Sequence, residues 1–326
     1  MKSLTEASLL PWLRDTTVSQ CVINDVHFTR YEEAGFPTRA FRYRVIFQTS
    51  KDESMLLQWL VGINQAISMA VIERLSQYHC VEIALEVALT DRVLNTFPSD
   101  NTIELFSLPN KLPLLNQAGV LVMDMDSTAI QIECIDELAK MAGVGKAVSE
   151  VTERAMQGEL DFEESLRARV AQLKGAKASI IATLCQRLPL MPGLVDMVEE
   201  LKSHGWYVVL ASGGFTAFVE HLKNELDLDA AFANKLVIEN ELLTGEVNGQ
   251  VVDAQFKANT LDMCAKRWKI ESGQRLAIGD GANDIPMIQA ADFGIAFHGK
   301  PKLTQAADVA IHKMDLKALP FLLLLA

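Results

Sequence analysis

Four short apolar runs constrain this chain more than any other feature: GVLVM before DMDST, Trp206 to Ala211, Arg275 to Ile278, and Phe293 to Phe297. The first reaches acidic residues without helical spacing, which reads as a buried strand ending at Asp124. Helical segments separate several of the runs, and that alternation predicts a mostly parallel sheet. Open sheets of this kind bind ligands beyond the carboxyl ends of their strands, where the loops converge. Three polar motifs occupy such ends here: DMDST, SGG and GDGAND.

Between the first and second strands, residues from about 130 to 190 are mainly helical, far more than a simple crossover needs. Within them ERAMQGELDFEESLRARVAQLKG carries Leu166, Val170 and Leu173 at helical spacing, which predicts a helical cap over the strand ends. Upstream, FRYRVIF alternates and places Phe41, Tyr43, Val45 and Phe47 on one face of a strand. Met55 to Tyr78 reads as helix and Val81 to Leu89 as strand, the makings of a small α+β domain. Pro98, Pro109 and Pro113 then break up regular structure, placing a boundary near 105–117. The expected organisation of the 326 residues is an α+β domain over 1–110 and an α/β domain over 111–326.

Composition excludes several classes. Apolar residues at 49% and charged residues at 22% suit a globular core. A net charge of -12 without a concentrated basic face argues against a nucleic-acid partner. Cysteines 21, 80, 134, 185 and 264 are odd in number and scattered, which fits a reducing cytoplasm. MKSLTEASLLPWLRD carries charges where a signal peptide needs an apolar core. Polar residues interrupt the stretch from Met55 to Ile72 and PFLLLLA is too short, so no membrane span is expected.

Each motif has an ordinary reading beside a chemical one. DMDST sets Asp124, Asp126 and Thr128 at alternate positions, either as an acidic turn with Thr128 capping a helix or as several oxygens directed into one cleft. In VVLASGGF, Ser212, Gly213 and Gly214 make a strand-to-helix turn whose hydroxyl and open amides also suit phosphate. Lys257 begins a helix with Leu261, Ala265 and Trp268 as its apolar stripe; it is either a surface lysine or a positive charge for a phosphate beside Asp124. GDGANDIPMI offers Asp280, Asn283 and Asp284 beyond a strand, either an Asn-Asp turn or hard oxygen ligands of the kind magnesium takes.

In this order, DMDST, SGG, Lys257 and GDGAND resemble the four motifs of the haloacid dehalogenase superfamily of phosphatases, over roughly residues 117–312. DMDSTAIQIECIDELA, the cap and GDGANDIPM are similar to the branch that hydrolyses free phosphoserine in serine biosynthesis. The resemblance implies a Rossmann-like core in which Asp124 attacks phosphorus, and Asp126 protonates the leaving oxygen and then activates water. It implies that Thr128, Ser212, Gly213 and Lys257 hold the phosphate or the nucleophile in place. Magnesium would sit on Asp124, the Asp126 backbone carbonyl and Asp280, with Asn283 and Asp284 supporting that shell and the phosphate cradle. Glu133 and Arg169, which alone read as an exposed helix residue and a charged face, would meet the substrate ammonium and carboxylate. Met156 and Phe162 would close the cap, unless they are core residues. Residues 1–110 resemble an ACT-like domain in α+β pattern, a class that binds amino acids or mediates association, so a homo-oligomer held through it is expected. Two competing functions share these motifs: phosphotransfer to an alcohol such as homoserine, and a catalytically silent amino-acid-binding regulator, against which the intact acidic and lysine residues argue.

Overall fold

The computed structural model describes residues 9–35 and 41–325; the first eight residues of the stretch weighed as a signal peptide, and Ala326, lie outside it. The N-terminal sheet comprises β1 (Gln20–Ile23), β2 (Val26–Arg30), β3 (Phe41–Phe47), β4 (Ile67–Ile72), β5 (His79–Leu85) and β6 (Ile103–Ser107), in the order β1-β2-β4-β5-β3-β6. The alternation in β3 is real: Tyr43, Val45 and Phe47 share a core with Leu56 and Leu60 of the helix Ser50–Val61. Phe41, at the strand's start, is half exposed. The opposite face, with Arg44 and Ile46, is buried as well, because it packs on the second half of the chain.

The helix expected over Met55 to Tyr78 is corrected. It begins at Ser50, where Thr49 and Asp52 form a reciprocal capping box, and it ends at Gly62. Ile67, Val71 and Ile72 then extend as β4 and pair antiparallel with β5, a ladder that β-branched residues favour. The strand placed over Val81 to Leu89 runs instead from His79 to Leu85.

The second sheet comprises β7 (Val120–Met123), β8 (Tyr207–Phe215), β9 (Ala230–Glu239), β10 (Leu242–Asn248), β11 (Arg275–Gly279), β12 (Phe293–Phe297) and β13 (Val309–Ile311), ordered β10-β9-β8-β7-β11-β12-β13. All its pairings are parallel except that of β9 with β10. The four apolar runs supply β7, β8, β11 and β12, and every residue of β7 is buried. The helix Ala254–Trp268 covers one face, packing Leu261, Cys264 and Ala265 against Val120, Val122 and Ala277. Trp268 stacks on Tyr207 with ring centroids 4.4 Å apart.

Four helices, Cys134–Met141, Gly145–Met156, Phe162–Ala171 and Ser179–Cys185, form the cap. The expected stripe of Leu166, Val170 and Leu173 is buried. The two connections to the cap run together: Gln131 N donates to Pro189 O at 2.9 Å, and Met191 N to Ala129 O at 2.8 Å. The β9–β10 hairpin, which turns through Asn240 and Glu241 in left-handed conformation, braces the cap from the side. There Gly175 N donates to Leu243 O and Ala178 N to Glu241 O, each at 2.8 Å.

Residues 320–323 pack against the N-terminal sheet. Buried Arg44 donates to Glu82 Oε2 at 2.7 Å, to Leu323 O at 2.6 Å and to Phe321 O. Arg74 donates to Pro320 O and Leu323 O at 3.0 and 2.7 Å. Glu104 of β6 accepts from the backbone N–H groups of His312, Lys313 and Met314 at 2.6, 3.0 and 2.9 Å. Ile46, Cys80 and Phe106 join Phe321 and Leu322 in one apolar cluster. Among the described residues, no helix is long and apolar enough to cross a membrane.

Candidate active site

Asp124 follows the last residue of β7, at the carboxyl end of the central strands, where its N–H donates to Ile278 O at 3.1 Å. Lys257 is no surface residue. It is 1% exposed, and its Nζ lies 2.8 Å from both Asp124 Oδ2 and Asp284 Oδ1. Asp253 places it, capping the Ala254–Trp268 helix by accepting from Phe256 N at 2.7 Å. Asp284 is fixed on its other oxygen by Gly281 N at 3.0 Å. Asp280 joins them, and ligand atoms of Asp124, Asp280 and Asp284 all fall within 4.8 Å of one another.

Three carboxylates and one ammonium leave two uncompensated negative charges in a buried space. Burial pulls the Lys257 pKa down, but Asp124 and Asp284 outweigh it and hold the ammonium protonated. Burial and then Asp284 push Asp124 well above the usual carboxylate range, against the pull of Lys257. Asp280 is pushed up to about 6 by burial, Asp284 and Glu133. A cluster of hard oxygens short of two positive charges suits a divalent cation such as magnesium. Asp284 is a full member of this cluster, beyond the supporting place expected from its motif.

Asp126 sits beside the start of the helix Cys134–Met141, where its Oδ1 accepts from Cys134 N at 3.3 Å. Burial and then the charge of Glu133 raise it to about 7. Ser127, at φ 58°, reverses the loop in a left-handed conformation rare outside glycine, and its Oγ donates to Glu133 Oε1 at 2.9 Å. Thr128 caps no helix; it is buried and reaches Asp280 Oδ1 over 3.5 Å, linking two of the loops.

Ser212 is buried, and its Oγ accepts from Gly214 N at 2.9 Å. Close approach crowds both glycines. A Cβ on Gly214 would stand 3.2 Å from Asp126 Oδ2, and one on Gly213 2.8 Å from Phe162 Cζ. Phe162 therefore reaches from the cap onto the SGG loop. Met156 does not pack in any core: it is 82% exposed at the end of its helix. Arg169 is half-buried; burial lowers its pKa, while Asp136, Glu133 and Asp126 counter that, so its guanidinium faces the acidic side of the cleft. Its Nε donates to Ser165 O at 3.4 Å. Glu133 and Asn283 are exposed at the cleft margin.

Sequence reasoning missed two participants. Ser127 was passed over inside DMDST. Asn234, buried in β9, donates from Nδ2 to Gly213 O and accepts at Oδ1 from Val252 N, both at 2.8 Å. A signal existed: asparagine is depleted in strands, so its place in AAFANKLVIE needed a reason.

Comparison with known proteins agrees with this geometry. Residues 119–292 match the model of the haloacid dehalogenase-like hydrolase family. Over 211 residues the chain is 56% identical to a phosphoserine phosphatase of Haemophilus influenzae, covering 65% of this chain and 67% of that one. A crystal structure of a probable phosphoserine phosphatase from Vibrio cholerae, in unliganded form, superposes with a TM-score of 0.74 at 40% identity, covering 88% of each chain. A phosphoserine phosphatase solved as a phospho-aspartyl intermediate analogue matches with a TM-score of 0.59 at 40% identity, over 63% of this chain and 99% of that one.

Proposed function

Because the chain belongs to the haloacid dehalogenase-like hydrolase family, we propose that it hydrolyses free phosphoserine to serine and phosphate, as the last step of serine biosynthesis, with Asp124 as nucleophile. The observation that carries this reading is the buried Lys257 ammonium, 2.8 Å from both Asp124 and Asp284, within a cluster of carboxylates. Such a lysine neutralises an incoming phosphate and favours the ionised form of the nucleophile.

In the first step an Asp124 oxygen forms a bond to phosphorus as the phosphorus–oxygen bond to serine breaks, and Asp126 gives its proton to the departing oxygen. With a pKa near 7, Asp126 retains that proton in a large fraction of molecules at neutral pH. In the second step Asp126, now ionised, takes a proton from water as that water attacks phosphorus; phosphate leaves and Asp124 is restored. Ser212, Gly213 and Lys257 cradle the phosphate oxygens, Thr128 holds the nucleophile loop against Asp280, Asp284 holds the Lys257 ammonium and Asn283 stands at the rim. Asp124, Asp280 and the Asp126 carbonyl are the groups that would hold magnesium, which supplies positive charge to the phosphate oxygens.

Glu133 pairs with the substrate ammonium and Arg169 with its carboxylate, while Phe162 and Met156 close over them. Five free cysteines fit a cytoplasmic setting. Residues 1–110 serve as an ACT-like association domain and 111–326 as the phosphatase. The test is magnesium-dependent phosphate release across a panel of small phosphate esters that includes both enantiomers of phosphoserine. Turnover of simple esters without any preference for phosphoserine would overturn the substrate assignment.

A further inference from the structure

We infer that Asn234 is a positioning residue for the phosphate loop: its carboxamide sets which way the Gly213–Gly214 peptide faces and ties that loop to the helix that delivers Lys257. The inference rests on the phosphatase reading above and deepens it. Asn234 is 1% exposed and both ends of its carboxamide are engaged, by Gly213 O and by Val252 N. The orientation is unique, since flipping the amide would set oxygen against oxygen at Gly213 and N–H against N–H at Val252.

Both partners matter to the site. The β8–β9 register shifts between Ala211 and Phe215, so the regular ladder is interrupted where Gly213 lies, and a side chain of β9 supplies the donor to its carbonyl. Because the peptide is planar and trans, pinning the Gly213 carbonyl toward Asn234 sends the Gly214 N–H to the opposite side. There it meets Ser212 Oγ at 2.9 Å, and the Gly214 backbone runs closely beside Asp126. Two adjacent glycines have wide backbone freedom, and without the pin the carbonyl oxygen can turn toward an incoming anion and repel it. At the other end, Val252 precedes Asp253, the cap of the helix bearing Lys257. One buried side chain therefore sets the spacing between the loop that receives phosphate and the lysine that neutralises it.

The test uses the full chain with magnesium, comparing wild type, Asn234→Ala and Asn234→Leu. Leu repeats the branching of Asn in a larger side chain without either hydrogen bond. KM and kcat for phosphoserine and for p-nitrophenyl phosphate, the inhibition constant of inorganic phosphate and the thermal midpoint are measured. Both variants are expected to raise the phosphate inhibition constant and both KM values by about tenfold, as loss of hydrogen bonds inside a buried site implies, with Leu no better than Ala. A phosphate inhibition constant unchanged in either variant overturns the inference, as does a loss confined to kcat or thermal midpoint. A Leu variant that matches wild type while Ala does not would assign Asn234 to packing instead. If Ala does not fold, Leu decides. Wild type that cleaves p-nitrophenyl phosphate but ignores phosphoserine would remove the substrate assignment and leave Asn234 to be judged on the aryl ester. Wild type inactive on both leaves it to be judged on phosphate affinity measured by calorimetry.

Discussion

At the scale of single residues, charge surplus governs the candidate site. Asp124→Asn keeps the shape of the side chain and removes the carboxylate nucleophile, so a folded variant should show no turnover in a phosphate-release assay. Asp280 must be ionised to hold a divalent cation, and burial, Asp284 and Glu133 lift it to about 6. Protons therefore compete with magnesium below that pH, and affinity should strengthen as pH rises through about 6, with proton release visible by calorimetry in buffers of differing ionisation enthalpy. An affinity flat from pH 5 to 7 would exclude Asp280 as the ligand. Arg169→Ala should cost phosphoserine about 10- to 100-fold more in kcat/KM than an ester lacking a carboxylate, the range expected for a charge-assisted hydrogen bond. Equal losses on both substrates would make Arg169 a structural residue of the cap.

At the scale of elements, the Phe162 ring over Gly213 joins the cap to the SGG loop. Gly213→Ala sets a methyl group 2.8 Å from Phe162 Cζ, so the Phe162 ring must shift on the loop. Overpacking of about 1–3 kcal/mol, if it falls wholly on the reactive complex, predicts a fall of about 5- to 100-fold in kcat/KM. Restoration of activity in Gly213→Ala/Phe162→Leu would tie the loss to this contact, and no restoration would break that link. The strands bearing the chemistry were legible in the sequence because strands buried on both faces are continuously apolar and end abruptly at polar motifs, as Met123 does at Asp124. The helix misread over Met55 to Tyr78 shows the converse. Met55, Trp59 and Leu60 do lie on a helix, but apolar residues resume in β4 after the short polar break at Asn64 and Gln65, and pairing with β2 and β5 makes them a strand. The β9–β10 hairpin was missed because its strands are only partly buried and carry polar residues along their length. Asn234 could be assigned a partner only once that hairpin stood beside SGG.

At the scale of the whole molecule, each sheet completes the other. All candidate catalytic residues lie after residue 117, within the range 111–326 to which we assign the phosphatase chemistry. Removing residues 1–110, however, takes away Arg44, Glu104 and Phe106 and uncovers Phe321 and Leu322. The fragment should therefore unfold at a lower temperature than the full chain while any folded fraction keeps its affinity for magnesium. A fragment with an unchanged thermal midpoint would mean that the buried arginine network contributes no stability.

The position of that network also sets an order of events during synthesis. Arg44 and Phe321 stand 277 residues apart in sequence. At typical elongation rates the ribosome needs on the order of tens of seconds to make the intervening chain. Through that interval β3 can pair with its neighbours, yet the face bearing Arg44 and Ile46 has nothing to lie against. The earliest sheet to emerge is thus the one that waits longest to be finished, exposed to chaperones and to other nascent chains. A ribosome that stalls shortly before Phe321 releases a polypeptide with every candidate catalytic residue in place and an adhesive, unfinished flank.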